Sequence, residues 1–164
     1  MPRNLAYALA AAGAVAALLL TAIVGAQPGQ LHVEQVRFLR GEGEGRNTTL
    51  DAVLYLTSDG GTSRDVRIVT YLYARATGIA EDRQVVDVGP VAGGRTEEVR
   101  VVLRVPWFDP ARTPSWNADF LVFEDERLTL EGHGTVGFRQ VSDIAGGAPT
   151  TALDASAGPF ERVG

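Results

Sequence analysis

The feature that most constrains this chain is the segment "EEVRVVLRVP", residues 97–106, in which every second residue is apolar. Val99, Val101, Leu103 and Val105 fall on one side; Glu98, Arg100 and Arg104 fall on the other. A period of two gives an extended strand one dry face and one wet face, whereas a helix needs a period near 3.6. Such a strand is stable only when its dry face meets another sheet. The same signature recurs along the chain. "LHVEQVRFL" (31–39) carries it with a one-residue slip of phase between Val33 and Val36, which predicts a bulge. "TLDAVLYLT" (49–57) places Leu50, Ala52, Leu54 and Leu56 on one face, and "DVRIVTYLYA" (65–74) sets Val66, Ile68 and Leu72 against Val69, Tyr71 and Tyr73. "QVVDVG" (84–89), "WNADFLVFE" (116–124) and "RLTLEGHGTVGFR" (127–139) complete a set of about seven strands, the last two paired around Glu124-Asp125-Glu126. In the last segment Leu128, Leu130, Val136 and Phe138 share a face with Gly132 and Gly134. Short strands separated by glycine-rich turns predict an all-β, immunoglobulin-like antiparallel sandwich.

One segment breaks the pattern. Leu5 to Ala26 is 22 residues without a charge. As a helix it would extend about 33 Å, enough to cross a hydrocarbon core of about 30 Å. Arg3 precedes it, which keeps the N-terminus inside and exports the rest. Residues 1–26 are therefore expected as a transmembrane anchor or uncleaved signal; Val24-Gly25-Ala26 also resembles a cleavage site before Gln27. Residues 27–30 read as a hinge, 31–140 as the sandwich, and 141–164, rich in Gly, Ala, Ser, Thr and Pro, as a flexible tail. The expected location is the cell membrane, single-pass, with the C-terminal domain extracytoplasmic.

Composition excludes several functions. There is no cysteine, so disulfides, thiolate nucleophiles and thiolate metal sites are absent together. The net charge is −5 and all 15 basic residues are arginine, which argues against nucleic acid as a partner. His32 and His133 are the two histidines, from the first and last strands. They would meet across a sheet only if those strands were neighbours, and zinc wants three or four ligands. No G-x-S-x-G elbow appears. We therefore expect no catalytic, cofactor-binding or metal-binding residues, no cofactor, no small-molecule substrate and no enzymatic activity.

The stretch "DGGTSRDVRIVTYLY" (Asp59 to Tyr73), followed by a charged loop and "VGPVAGGRTEEVRVVLRVP" (Val88 to Pro106), resembles the CARDB and FxLYD-like immunoglobulin-type domains of exported prokaryotic proteins. The shared pattern is a small-residue turn, a strand ending in Tyr-Leu-Tyr, and a glycine-rich turn before an alternating strand. The resemblance spans roughly residues 31–139 and implies a sandwich with a binding or structural role. In architecture, a single N-terminal anchor before a sandwich is also similar to archaellar stator subunits.

Three local features are candidate sites. "VPWFDPARTPSW" (105–116) holds both tryptophans, and its prolines stiffen it; Trp107 and Phe108 are the candidate partner-binding residues. Trp116 is in phase with Ala118, Phe120 and Val122 and is assigned to the core. Asn47-Thr48-Thr49, after the glycine-rich "GEGEGR", fits N-x-[ST] and makes Asn47 a candidate glycosylation site. The acids of "FEDER" (123–127) fall short of the six to eight oxygens that calcium requires. The leading expectation is a membrane-anchored extracytoplasmic, non-catalytic binding or structural module of the cell envelope with a protein partner. A second is an accessory or stator-like subunit, assembled through small helix residues such as Ala11, Ala12 and Gly13. A secreted enzyme or metal-binding protein comes third.

Overall fold

The computed structural model describes residues 29–41, 48–105, 115–141 and 150–164. Within them every regular element is a strand: β1 (Gln30–Arg40), β2 (Thr48–Asp59), β3 (Asp65–Ala74), β4 (Ala80–Pro90), β5 (Thr96–Val105), β6 (Ser115–Glu124), β7 (Arg127–Val141), β8 (Thr150–Ala157) and β9 (Glu161–Arg162). Among the described residues no helix is long and apolar enough to cross a membrane. The expected membrane helix lies in residues 1–28, outside the described residues.

The strands form two antiparallel sheets stacked as a sandwich. The smaller runs β1-β2-β5; the larger runs β4-β3-β6-β7-β8, with β9 also on β7. The period-two patterns close the core between them. Leu50, Ala52, Leu54 and Leu56 of β2, Val99, Val101, Leu103 and Val105 of β5, Ile68 and Leu72 of β3, and Ala118, Phe120 and Val122 of β6 are all buried in one cluster. Trp116 joins them at 4% exposure, edge-on to Phe138 with centroids 5.9 Å apart. The expected bulge in β1 is present: the register shifts between Val33 and Gln35, leaving Glu34 as the extra residue.

Two expectations are corrected. Residues 141–164 are not merely a tail, because β8 pairs with β7 from Gly134↔Ala157 to Val141↔Thr150 and β9 pairs at Leu130 and Glu131. The sandwich among the described residues thus has nine strands rather than about seven. An edge strand covers one neighbour and half of one face, so it needs few large apolar groups. Leu153, Ala155 and Phe160 suffice to pack against the core. Phe160 lies over Gly132 of β7, where an added Cβ would stand 2.6 Å from its ring, and 6.1 Å from Phe120 by centroid. Arg162 then donates from Nη2 to the Leu31 carbonyl at 2.9 Å, tying the C-terminal segment to β1. On the opposite side, the Asp82 carboxylate of β4 accepts the Arg104 backbone N–H of β5 at 2.6 Å and so protects that edge.

The second correction concerns β7. Its hairpin with β6 turns on two residues of positive φ, Asp125 (47°) and Glu126 (65°), as a two-residue hairpin requires. A register shift follows at once: Val122 pairs with Leu130 but Phe123 with Leu128. Leu128 therefore shares the outer face with Phe123, opposite to Leu130.

Candidate functional site

The outer face of the larger sheet is where chemistry-bearing side chains converge. Register sets them in rows across the strands. The central row is Val85, Val69, Leu121 and Glu131; the next is Arg83, Tyr71, Asp119 and His133; the third is Tyr73, Asn117, Thr135 and Ser156. Beyond the central row, on its other side, lie Asp87, Arg67, Phe123 and Leu128. An exposed antiparallel face normally alternates to polar residues. Here β3 and β6 present Val69, Tyr71, Leu121 and Phe123, none of which belongs to the core cluster. Val69 is buried at 6% exposure by its neighbours on this face, and Val85 is 43% exposed.

The polar groups around this centre are held by one another. His133 Nδ1 lies 2.8 Å from Asp119 Oδ1, and its Nε2 lies 3.5 Å from Glu131 Oε1. The bond to Asp119 raises the His133 pKa above its ordinary value; partial burial opposes this, and the charges of Asp119, Glu131 and Glu161 add to it. Tyr71 and Tyr73 stack with centroids 5.9 Å apart. The Arg83 guanidinium lies 5.7 Å from the Tyr71 centroid and donates from Nε to its hydroxyl at 3.1 Å. Burial, then the charge of Asp119, raises the Tyr73 hydroxyl pKa. A shallow depression of about 310 Å³ is lined by Asn117, Asp119, His133, Thr135 and Ser156. Beyond Phe123, the Arg67–Asp87 ion pair lines a second, of about 520 Å³, with Asp65, Asp125 and Glu126.

The two histidines do not meet. His32 lies on the smaller sheet with Nε2 3.0 Å from Asp59 Oδ2, while His133 lies on the larger. Among the described residues no group of three or more His, Asp or Glu side chains is arranged to hold a metal ion. Trp107, Phe108 and Asn47 lie outside the described residues, in the segments 106–114 and 42–47. The arrangement presents an aromatic and aliphatic centre inside a polar rim, which is the chemistry of recognition. Val69, Tyr71 and Tyr73 form a second apolar phase on β3 that is visible in the sequence. The matching signal at Leu121 and Phe123 was available, but the meeting of Asp119 with His133 depends on hairpin register.

Fold and site together define an antiparallel β-sandwich whose larger sheet carries a partly apolar outer face. The chain belongs to the family described as a domain of unknown function, DUF7490, whose model matches residues 30–137. That match ends within β7, so β8 and β9 lie beyond it. No curated protein matches the sequence. Similar solved structures include a β-glucuronidase from glycoside hydrolase family 2, with a TM-score of 0.57 at 10% identity over 68% of this chain. A glycosyl hydrolase family 2 member from Bacteroides cellulosilyticus gives 0.56 at 14% identity over 75%. A putative β-galactosidase from Bacteroides fragilis gives 0.52 at 12% identity over 79%. The chain spans only 13% to 18% of the length of these proteins, so the likeness concerns a sandwich fold alone.

Proposed function

We propose that this protein is a membrane-anchored, extracytoplasmic, non-catalytic binding module of the cell envelope, with an immunoglobulin-like sandwich as its binding unit. The observation that carries the reading is the outer face of the larger sheet, where Val69, Leu121, Tyr71 and Phe123 occupy outward positions that ordinarily hold polar residues. The uncharged stretch Leu5 to Ala26 supports the anchor, and the immunoglobulin-like character agrees with the pattern resemblance to CARDB and FxLYD-like domains. The small share of the glycoside hydrolases that the chain matches gives no ground for importing their activity. Protein partners engage the sheet face and the segment carrying Trp107 and Phe108.

Pull-down from envelope membranes with the full-length chain tests the binding reading. Val69→Asp and Trp107→Ala/Phe108→Ala are each expected to lose partners retained by the wild type. An unchanged partner set in both variants defeats it. Carbonate extraction and the mature N-terminus test the anchor: a chain beginning at Gln27 in the soluble fraction removes it.

A further inference from the structure

We propose that the outer face of the larger sheet is a self-association surface, on which a second copy of this chain in the same membrane packs face to face. The inference rests on the reading of the protein as an anchored binding module and names the occupant of that face.

The face is its own complement. Val69 and Leu121 are paired on adjacent strands at its centre. In the neighbouring row, Arg83 stands on the β4 side while Asp119 and His133 stand on the β6 and β7 side, with Glu131 of the central row beside His133. Among the described residues no carboxylate side chain pairs with the Arg83 guanidinium, which rests on Tyr71 instead. Consider a two-fold axis in the interface, parallel to the strands and passing between β3 and β6. It exchanges β3 with β6 and β4 with β7. Val69 of one copy then meets Leu121 of the other, and Arg83 lies over the second copy's Asp119–His133–Glu131 group. Sheets stacked in this way sit about 10 Å apart, which these side chains span. The same axis keeps both Gln30 ends on one side, as two anchors in one membrane require; an axis across the strands would send them to opposite sides. The smaller sheet exposes Leu39 and Val102, but the equivalent axis along β2 would stack its Arg37 on the second copy's Arg100. Its Asp51 is already paired with Arg100 of the same chain.

The chain has no cysteine, so single introduced thiols report proximity cleanly. Full-length Val69→Cys and Leu121→Cys chains are co-expressed and oxidised in membranes. Thr57→Cys, on the outer face of the smaller sheet, serves as control. Mixed 69–121 cross-links are expected to exceed both the control and 69–69 cross-links. Arg83→Glu is expected to lower the yield roughly tenfold, because like charges across an interface repel, and Asp119→Arg in the second copy to restore it. Equal yield at residue 57, dominant 69–69 cross-links, or Val69→Cys and Leu121→Cys chains that sediment with membranes yet give no mixed cross-link would each overturn the proposal. So would capture of a different envelope protein at residue 69 without self-cross-linking. A chain found in the soluble fraction defeats the anchor alone, since the cross-link between sheet faces is read there equally well. Thermal melts of each variant verify folding.

Discussion

The outer faces of the two sheets differ, although their inner faces follow the same rule. Each buries a valine in the middle of a solvent-facing surface: Val53 on the smaller sheet at 4% exposure and Val69 on the larger at 6%. On the smaller sheet Val53 sits in register between Arg37 and Arg100. Arg37 lies over the Tyr55 ring, and Arg100 caps the buried Asp51. Long arginine stems cover apolar surface there while their charges stay in water. On the larger sheet Val69 is flanked in register by Val85 and Leu121, with Tyr71 beside it. The first solution shields its central valine, although Leu39 and Val102 on either side of Asp51 remain 51% and 44% exposed. The second leaves apolar surface that a partner can cover.

The comparison breaks first at the core, where the sheets should behave alike. Leu54→Ala in the smaller sheet and Phe120→Ala in the larger both remove fully buried side chains and should each cost about 3–5 kcal/mol in urea unfolding. A loss under about 1 kcal/mol at either position would mean that the side chain does not belong to the shared core. On the outer faces the order should separate. Arg100→Ala leaves the Asp51 carboxylate buried without its partner and should cost about 2 kcal/mol; Asp51→Val in the same chain should recover most of it. Arg83→Ala, on the larger sheet, should cost under about 1 kcal/mol, because its contacts are exposed.

A gain is expected on the inner side of the larger sheet. The Thr70 hydroxyl is fully buried with no hydrogen-bond partner among the described residues, so Thr70→Val should stabilise by about 1 kcal/mol in the same assay. The smallest effect is one of pH. The folded His133 pKa is raised above 6.5, so the folded state holds this proton more tightly than the unfolded chain. Its contribution is complete below about 6.5 and disappears as pH climbs through the raised value. The melting temperature of wild type relative to His133→Gln should therefore be higher in mild acid and converge in alkali. A constant difference would mean that the Asp119 contact contributes nothing to stability.

Much of the sandwich was legible because burial imposes a period of two. The β1 bulge could be read from the slip between Val33 and Val36, and the burial of Trp116 from its phase with Phe120. The β6–β7 hairpin could be read from the short polar break between two apolar runs. β8 and β9 could not, because Ala, Ser and Thr on an edge strand look like the composition of a tail. β4 begins at Ala80, earlier than its apolar residues indicate, since Glu81, Asp82 and Arg83 pair through backbone or face water. The shift at Val122/Phe123 was equally hidden: it moves Leu128 to the outer face without any local signal in side-chain type.

By itself the sequence determined most of the residues that face the core, the all-β class, the absence of thiol chemistry and the anchor expectation, because each follows from local pattern or composition. Only the tertiary structure decided that β7 acquires a second neighbour and that Phe160 fills the space over Gly132. Only it brought Asp119 to His133 and lined up Val85, Val69 and Leu121. Those outcomes depend on register between strands distant in the chain. A one-residue slip changes register completely while leaving every local pattern intact.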